Sequence, residues 1–305
     1  MNNDNNRDKA YFCRSQYDNV HQCIAQSYDR IEVNGVHIGI IECGTTVPNA
    51  PILVLLHGFT GSAASWGTLL DDLATLGIRI IALDLLGHGR SDAPRDPQRY
   101  YIEHCQADII GILQTLGIKQ GEAILLGYSM GGRIALYCAF SGYFRALILE
   151  SASPGLATFT ERAQRRASDE ALAERIEREG IKAFVNYWEQ LPLFASQSNL
   201  SIECRNAQRA QRLTNRAHGL ANSLRGVGTA VQPPLYQRLP ELPLPVLLIT
   251  GELDSKFCHI GQRMAQHLPQ AQLQIVPSAG HAIHLEQPER FVTLVHKFCS
   301  AQQLC

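Results

Sequence analysis

Apolar and polar positions alternate in two ways along this chain. From Arg30, the segment RIEVNGVHIGIIE places apolar residues at every second position on either side of Asn34-Gly35. That pattern predicts two antiparallel strands joined by a tight two-residue turn at the edge of a sheet. The period then changes. Short apolar runs at residues 52–56, 78–83, 123–126, 146–149 and 246–249 alternate with longer stretches of helical character, such as 66–76 and 102–116. Runs so short and continuously apolar fit strands covered by helices on both faces, which predicts an α/β fold with a mostly parallel sheet.

Between residues 154 and 243 the alternation lapses and charged helical sequence replaces it, including ERAQRRASDEALAERIEREGIKAFVNYWEQ. A stretch of that length is too long for a structureless loop. It predicts a helical cap, inserted into a core of residues 27–153 and 244–305 and lying over the carboxyl edge of the sheet, where open α/β sheets bind ligands. PVLLITG and QLQIVPSAG resume the strand pattern, and residues 288–299 predict a closing helix. Residues 1–26 are Asn-rich and aperiodic, and are expected to form a polar extension outside the fold.

Charge narrows the partners. With 27 basic and 28 acidic residues the net charge is −1, so no excess of either sign draws the chain to nucleic acid or a membrane surface. No apolar run approaches the ~20 residues of a membrane span, and the first residues carry neither the basic end nor the apolar stretch of a signal peptide. A cytoplasmic location is the expectation. The nine cysteines are odd in number, scattered, and form no C-x-x-C pair; they read as reduced thiols, several of them, such as Cys138, in apolar runs, rather than disulfides or zinc ligands.

The chemistry concentrates at three places. Gly127-Tyr128-Ser129-Met130-Gly131 directly follows one predicted strand and opens a helix. In that context G-x-S-x-G marks a sharp nucleophile turn of α/β-hydrolase type, with Ser129 at a helix N-terminus. A serine needs an imidazole as base and an acid to orient it. His281 stands in Ser-Ala-Gly-His after the last strand, and two acids follow the preceding strand, Glu252 and Asp254, with Glu252 nearer the strand end. The N–H groups of Met130 and of Phe59, in HGFTG after the strand ILVLL, are the candidate oxyanion donors. His57, His88, Asp84 and Asp92 read as loop-shaping groups. His281, His284 and Glu286 lack a further ligand with zinc-like spacing, so no metal is expected, and no cofactor.

Arg133 lies one helical turn beyond Ser129, on the same side, so a guanidinium projects beside the nucleophile. An arginine there points to an anionic substrate. Arg165, Arg166, Arg209, Arg212 and Arg216 repeat the theme in the cap, although most cap arginines sit among glutamates and read as surface charge. Trp188 and Phe194 either pack the cap on the core or touch substrate.

HGFTGS, DLLGHGRSD, GYSMGGR, LESASPGL, GELDSKF and AGHAIHLEQPERF together resemble the α/β-hydrolase superfamily over residues 30–300. More narrowly, GYSMGGRIAL, SPGL with RAQRRASD, FVNYWEQLPLFASQ, QRLTN with GLANSLRGVGTAVQP, and DSKF resemble the 2-succinyl-6-hydroxy-2,4-cyclohexadiene-1-carboxylate synthase family of menaquinone and phylloquinone biosynthesis. The resemblance implies a lyase that eliminates pyruvate from a tricarboxylate. It implies Asp254 rather than Glu252 as the acid of a triad with Ser129 and His281. It also implies that Tyr128, Arg133, Arg165, Trp188, Phe194 and Arg212 act on substrate. LTNRAHG departs from that family's SNN-like turn, and residues 1–26 have no counterpart in it. Two other readings stand beside the lyase: a serine hydrolase of an ester or carbon–carbon bond, and a ligand receptor without turnover.

Overall fold

The computed structural model describes residues 23–302. The hairpin forms as the alternation predicts. Strands β1 (Cys23–Val33) and β2 (Val36–Thr45) pair antiparallel, with Val33 opposite Val36 and both Asn34 (φ 48°) and Gly35 (φ 76°) in the left-handed region. Such a turn matches the twist of the strands it joins. β1 begins at Cys23, inside the stretch expected to be extension. Backbone pairing of Cys23 with Thr45 and Ile24 with Gly44 holds this first part, with a register irregularity before Ser27. That irregularity breaks the simple alternation by which a strand is recognised. Residues 1–22 of the expected extension lie outside the described residues.

The apolar runs become β3 (Ile52–Leu56), β4 (Arg79–Leu83), β5 (Ala123–Tyr128), β6 (Ala146–Glu150), β7 (Val246–Gly251) and β8 (Ala271–Val276). They form one eight-stranded sheet in the order β1-β2-β4-β3-β5-β6-β7-β8. β2 runs antiparallel to β4, and every pair from β4 to β8 is parallel. The parallel strands therefore deliver their carboxyl ends, and the loops that follow, to one edge.

Helices α1 (Leu69–Thr75), α2 (Ile102–Thr115) and α3 (Met130–Ala139) follow β3, β4 and β5. Two apolar layers cover the sheet. One joins Val54, Leu125 and Leu147 to α2 and α3 through Ile109, Ile112 and Ile134. The other joins Leu53, Leu55 and Ile124 to α1 and the closing helix through Leu70, Leu73 and Phe291.

Between β6 and β7 the chain forms α4 (Phe159–Trp188), α5 (Ile202–Leu213) and α6 (Ala217–Val227). Thr158 and Glu161 cap α4 reciprocally, and Gly180 (φ 79°) breaks its course. α4 and α6 share a small core of their own, with Ile176, Phe184 and Leu220 fully buried and Phe59 of the sheet edge packed against it. After β7 come α7 (Ser255–His267), then, after β8, the short α8 (Ile283–Glu286) and α9 (Pro288–Ala301). Among the described residues no helix is long and apolar enough to cross a membrane, and Cys43, Cys105, Cys138, Cys204, Cys258 and Cys299 are free.

Asp84 ties the loops of this edge together from a fully buried position. Its carboxylate accepts the N–H of Ala63 and of Arg90, each at 2.7 Å, and the Tyr28 hydroxyl. Asp92 holds the hairpin through Arg30 and the His37 N–H. Both acids thus shape loops, as read from the sequence. Replacing Asp84 by alanine strands two inward N–H groups, and each buried unmade hydrogen bond costs about 1–3 kcal/mol. Asp84→Ala is expected to lower the urea midpoint by an amount equivalent to about 2–4 kcal/mol; an unchanged midpoint would contradict this role.

Candidate active site

The loop from β5 into α3 is tight because backbones touch. A Cβ at Gly127 would collide with the Gly131 carbonyl, and one at Gly131 with the carbonyls of Leu56 and His57. Only glycines permit that approach. Ser129 between them takes φ 51°, ψ −105°, a strained setting for a residue with a side chain. Its N–H is fixed to the Glu150 carbonyl at 2.9 Å and its carbonyl accepts the Arg133 N–H at 3.0 Å. The elbow thus hangs between β6 and the first turn of α3.

The Ser129 hydroxyl lies 3.0 Å from Nε2 of His281, and Nδ1 of His281 lies 2.7 Å from Asp254. The geometry gives a relay in which Nδ1–H donates to the carboxylate and Nε2 accepts from the serine. Asp254 caps α7 by accepting the Phe257 N–H at 3.2 Å with its other oxygen. Glu252 instead turns to the exposed Ser278 N–H and does not reach the imidazole. Glu286 braces the loop of His281 from both sides, accepting the N–H of Gly280 at 2.7 Å and of Ala282 at 3.2 Å. His281 is 1% exposed.

The two candidate main-chain donors belong to residues that line the same cavity. Met130 is the first residue of α3, so its N–H has no carbonyl partner within the helix. The peptide carrying the Phe59 N–H is held in plane by its own oxygen. The Gly58 carbonyl accepts from Nδ1 of His57 at 2.7 Å and from the Gly61 N–H at 3.0 Å. Nε2 of His57 accepts the Leu85 N–H at 3.0 Å, which puts the ring proton on Nδ1. The cap grips the next residue: the Thr60 carbonyl accepts from Asn215 at 2.8 Å and Gln211 at 3.2 Å.

Apart from Asp254, every residue singled out from the sequence for catalysis, oxyanion binding or substrate contact lines one cavity of about 490 Å³ between sheet edge and cap. Arg133 is nearly buried at 8% exposure and donates to Gln232 at 3.0 Å. Among the described residues no carboxylate pairs with it. Burial, with Arg165 nearby, pulls its guanidinium down to about 10, so it stays cationic at neutral pH. Arg165 pairs with Asp169 at 2.7 Å, and burial raises the Asp169 carboxyl despite that arginine. Arg212 reaches Glu189 at 3.2 Å and lies 5.7 Å over the ring of Phe194. Arg209 and Arg216 are committed to Glu189 with Asn186, and to the Ser91 carbonyl.

Trp188 packs on Phe59 at 5.3 Å and Phe194 at 5.6 Å, and its buried indole N–H is unpartnered. It therefore packs cap on core while its ring also lines the cavity. Tyr128 lies between His281 and His284, and burial raises its phenol well above the ordinary range. His284 pairs with Glu150 at 2.9 Å, and no cluster of metal-ligating side chains occurs among the described residues. Sequence reasoning missed Gln232, Asn215 and Glu150. Each lies far along the chain from the group it holds, and nothing in local spacing signals such a contact.

Burial holds His57 down to about 4, against the pull of the Gly58 carbonyl. Burial and His57 hold His88 down to about 3. The folded protein keeps both rings neutral, whereas the unfolded chain takes up protons below the ordinary value of 6.5. The stability from these rings is complete above about 6.5 and is lost as pH falls toward those lower values. The urea midpoint should therefore drop between pH 7 and pH 5; a flat profile would contradict the neutral assignment.

The alpha/beta hydrolase fold family matches residues 51–288. A protein of Salmonella agona named 2-succinyl-6-hydroxy-2,4-cyclohexadiene-1-carboxylate synthase is 36% identical over 245 residues, covering 79% of this chain and 90% of its own. A protein of Bacillus subtilis (strain 168) that carries the same name provisionally is 45% identical over 270 residues, 88% of this chain and 96% of its own. Among solved structures, MenH from S. aureus superimposes with a TM-score of 0.82 at 35% identity, covering 87% and 98% of the two chains. An esterase from Thermogutta terrifontis shares the fold alone, at TM-score 0.76 and 24% identity.

Proposed function

Because the chain belongs to the α/β-hydrolase fold family and, within it, to the 2-succinyl-6-hydroxy-2,4-cyclohexadiene-1-carboxylate synthases, we propose that it forms that product by eliminating pyruvate. The substrate of this reaction is 2-succinyl-5-enolpyruvyl-6-hydroxy-3-cyclohexene-1-carboxylate. The observation that carries the proposal is Arg133: a nearly buried cation one turn from Ser129, with no carboxylate of its own. Asp169 acts on it only from a distance and is itself paired with Arg165; a buried charge without a directly paired counter-ion is costly, and an anionic ligand lowers that cost. A neutral ester does not.

In the proposed mechanism the three carboxylates of the substrate meet Arg133, Arg165 and Arg212, while Tyr128, Trp188 and Phe194 enclose the ring. Ser129 is polarised by His281, which Asp254 orients, and removes the ring proton beside the succinyl ketone. The enolate oxygen is received by the Phe59 and Met130 N–H groups. The electron pair moves through the ring alkene and breaks the carbon–oxygen bond, releasing the enolate of pyruvate. No acyl-enzyme forms. No cofactor is required, since every step is a proton transfer or an elimination. A cytoplasmic location and a small polycarboxylate ligand belong to the same proposal.

Ser129→Ala is expected to reduce pyruvate release at least 1000-fold, roughly the scale of losing a triad member. A covalent Ser129 adduct trapped with this substrate would instead indicate hydrolase chemistry. For Arg133→Ala, with folding checked by circular dichroism, kcat/KM should fall about 100-fold, as for a buried charge pair cut in half. Undiminished turnover by that variant would remove the case for an anionic substrate, and p-nitrophenyl acetate burst-labelling of the wild type would favour an esterase.

A further inference from the structure

Beside the Ser129 relay lies a second carboxylate–imidazole pair, with no part in the mechanism above. Glu150 ends β6, is fully buried, and stands opposite Tyr128 in the sheet register. Both its oxygens lie 2.9 Å from Nδ1 of His284, and one also accepts the His284 N–H at 3.0 Å. Nδ1 is thereby fixed as a donor. Nε2 of His284 has no hydrogen-bond partner among the described residues, yet it is not one of the buried orphaned atoms, and His284 lines the cavity. The ring packs on Tyr128 at 4.7 Å, and the same phenol packs on His281 at 5.5 Å. The two imidazoles thus flank a single aromatic side chain at one cavity wall. The other neighbours of His284, Trp66 and Phe291, carry no charge. Glu286, on the same short helix, is occupied with the Gly280 and Ala282 N–H groups.

The proposed elimination needs two proton transfers at separate places, an argument that rests on the functional reading above. The proton leaves ring carbon 2, and the carbon–oxygen bond breaks at ring carbon 5, across the ring. The departing group carries off the bonding pair as an enolate and must gain a proton to become pyruvate. A base seated at carbon 2 is poorly placed to supply it. We propose that His284, held by Glu150, is a second acid–base residue that protonates the departing enolate. His281 gains the proton lost by the substrate and His284 gives one to pyruvate. Both rings return to their starting states by exchange with water, so the reaction has no net proton change. The Glu150 carboxylate supports the donor role by holding Nδ1 of the ring, as Asp254 holds that of His281.

The test is the pH dependence of kcat for pyruvate release in the wild type, His284→Gln and Glu150→Gln, with folding monitored by circular dichroism. A base that must be free and an acid that must be protonated give a bell. His284→Gln is expected to cost about 100-fold in kcat, within the range for a lost general acid, with KM changed less than threefold. It should also abolish the alkaline limb and keep the acidic one. Glu150→Gln should shift that limb to lower pH. If either folded variant loses rate with the bell unchanged, or keeps its rate, the pair is structural and the proposal is overturned. Should His284→Gln fail to fold, Glu150→Gln decides by the same criterion. Failure of the wild type to release pyruvate would instead overturn the functional reading itself.

Discussion

The contact of α3's first turn with the end of β3 is the constraint on which the site depends. Gly131 meets the carbonyls of Leu56 and His57, Gly127 meets the Gly131 carbonyl, and the serine between them is forced to positive φ. Backbone hydrogen bonds to Glu150 of β6 and from Arg133 of α3 offset that strain. With Ser129 raised from the sheet edge in this way, the N–H of Met130 beneath it is unclaimed, and its hydroxyl projects toward whatever the next strands deliver. Parallel topology delivers Asp254 from β7 and His281 from β8 at the same edge. The relay is therefore a consequence of strand direction and one tight turn, with the imidazole drawn from 152 positions beyond the serine.

The loop carrying Phe59 is governed by a second set of backbone constraints. His57, neutral and with a fixed tautomer, holds the Gly58 carbonyl, while Asn215 and Gln211 of the cap hold the Thr60 carbonyl. One donor of the candidate oxyanion site is thus anchored by both sheet and cap. Displacement of the cap would disturb the electrostatics at Ser129 as well as the shape of the cavity. The fully buried cap core, which receives Phe59 at its edge, resists such displacement.

Much of this was legible in the sequence, and the reasons are physical. Strands covered on both faces must be continuously apolar, so β3 to β7 announced themselves. The Asn34-Gly35 turn fixed the hairpin because few other pairs accept its backbone angles. Ser129 and His281 lay in strand–turn contexts with few alternatives. The choice between Glu252 and Asp254 was different: both follow β7, and only the fold shows that Glu252 turns to the Ser278 N–H. The start of β1 was misplaced because its first residues pair through backbone across an irregular register. Gln232, Asn215 and Glu150 were invisible for a related reason. Their partners lie on other elements, and polar residues committed to long-range contacts leave no periodic mark.

Esterases share this fold, so the triad geometry by itself does not select a reaction. What differs is the charge around the hydroxyl. Arg133 comes from the core helix α3, whereas Arg165 and Arg212 come from the cap helices α4 and α5. An anion spanning them must lie between the two layers. Asp169 pairs with Arg165, and Glu189 with Arg209 and Arg212, which holds these guanidinium groups in place but weakens their field, whereas the direct partner of Arg133 is the neutral Gln232 and Asp169 acts on it only from a distance. The guanidinium without a directly paired carboxylate is therefore the one that sits one turn from Ser129. On the proposed reading a ligand drawn there by charge is oriented by its anionic groups, not by a carbonyl at the Ser129 oxygen. Under that orientation a hydroxyl backed by an imidazole meets whichever atom the carboxylates leave nearest, and for a carbon acid that atom is hydrogen.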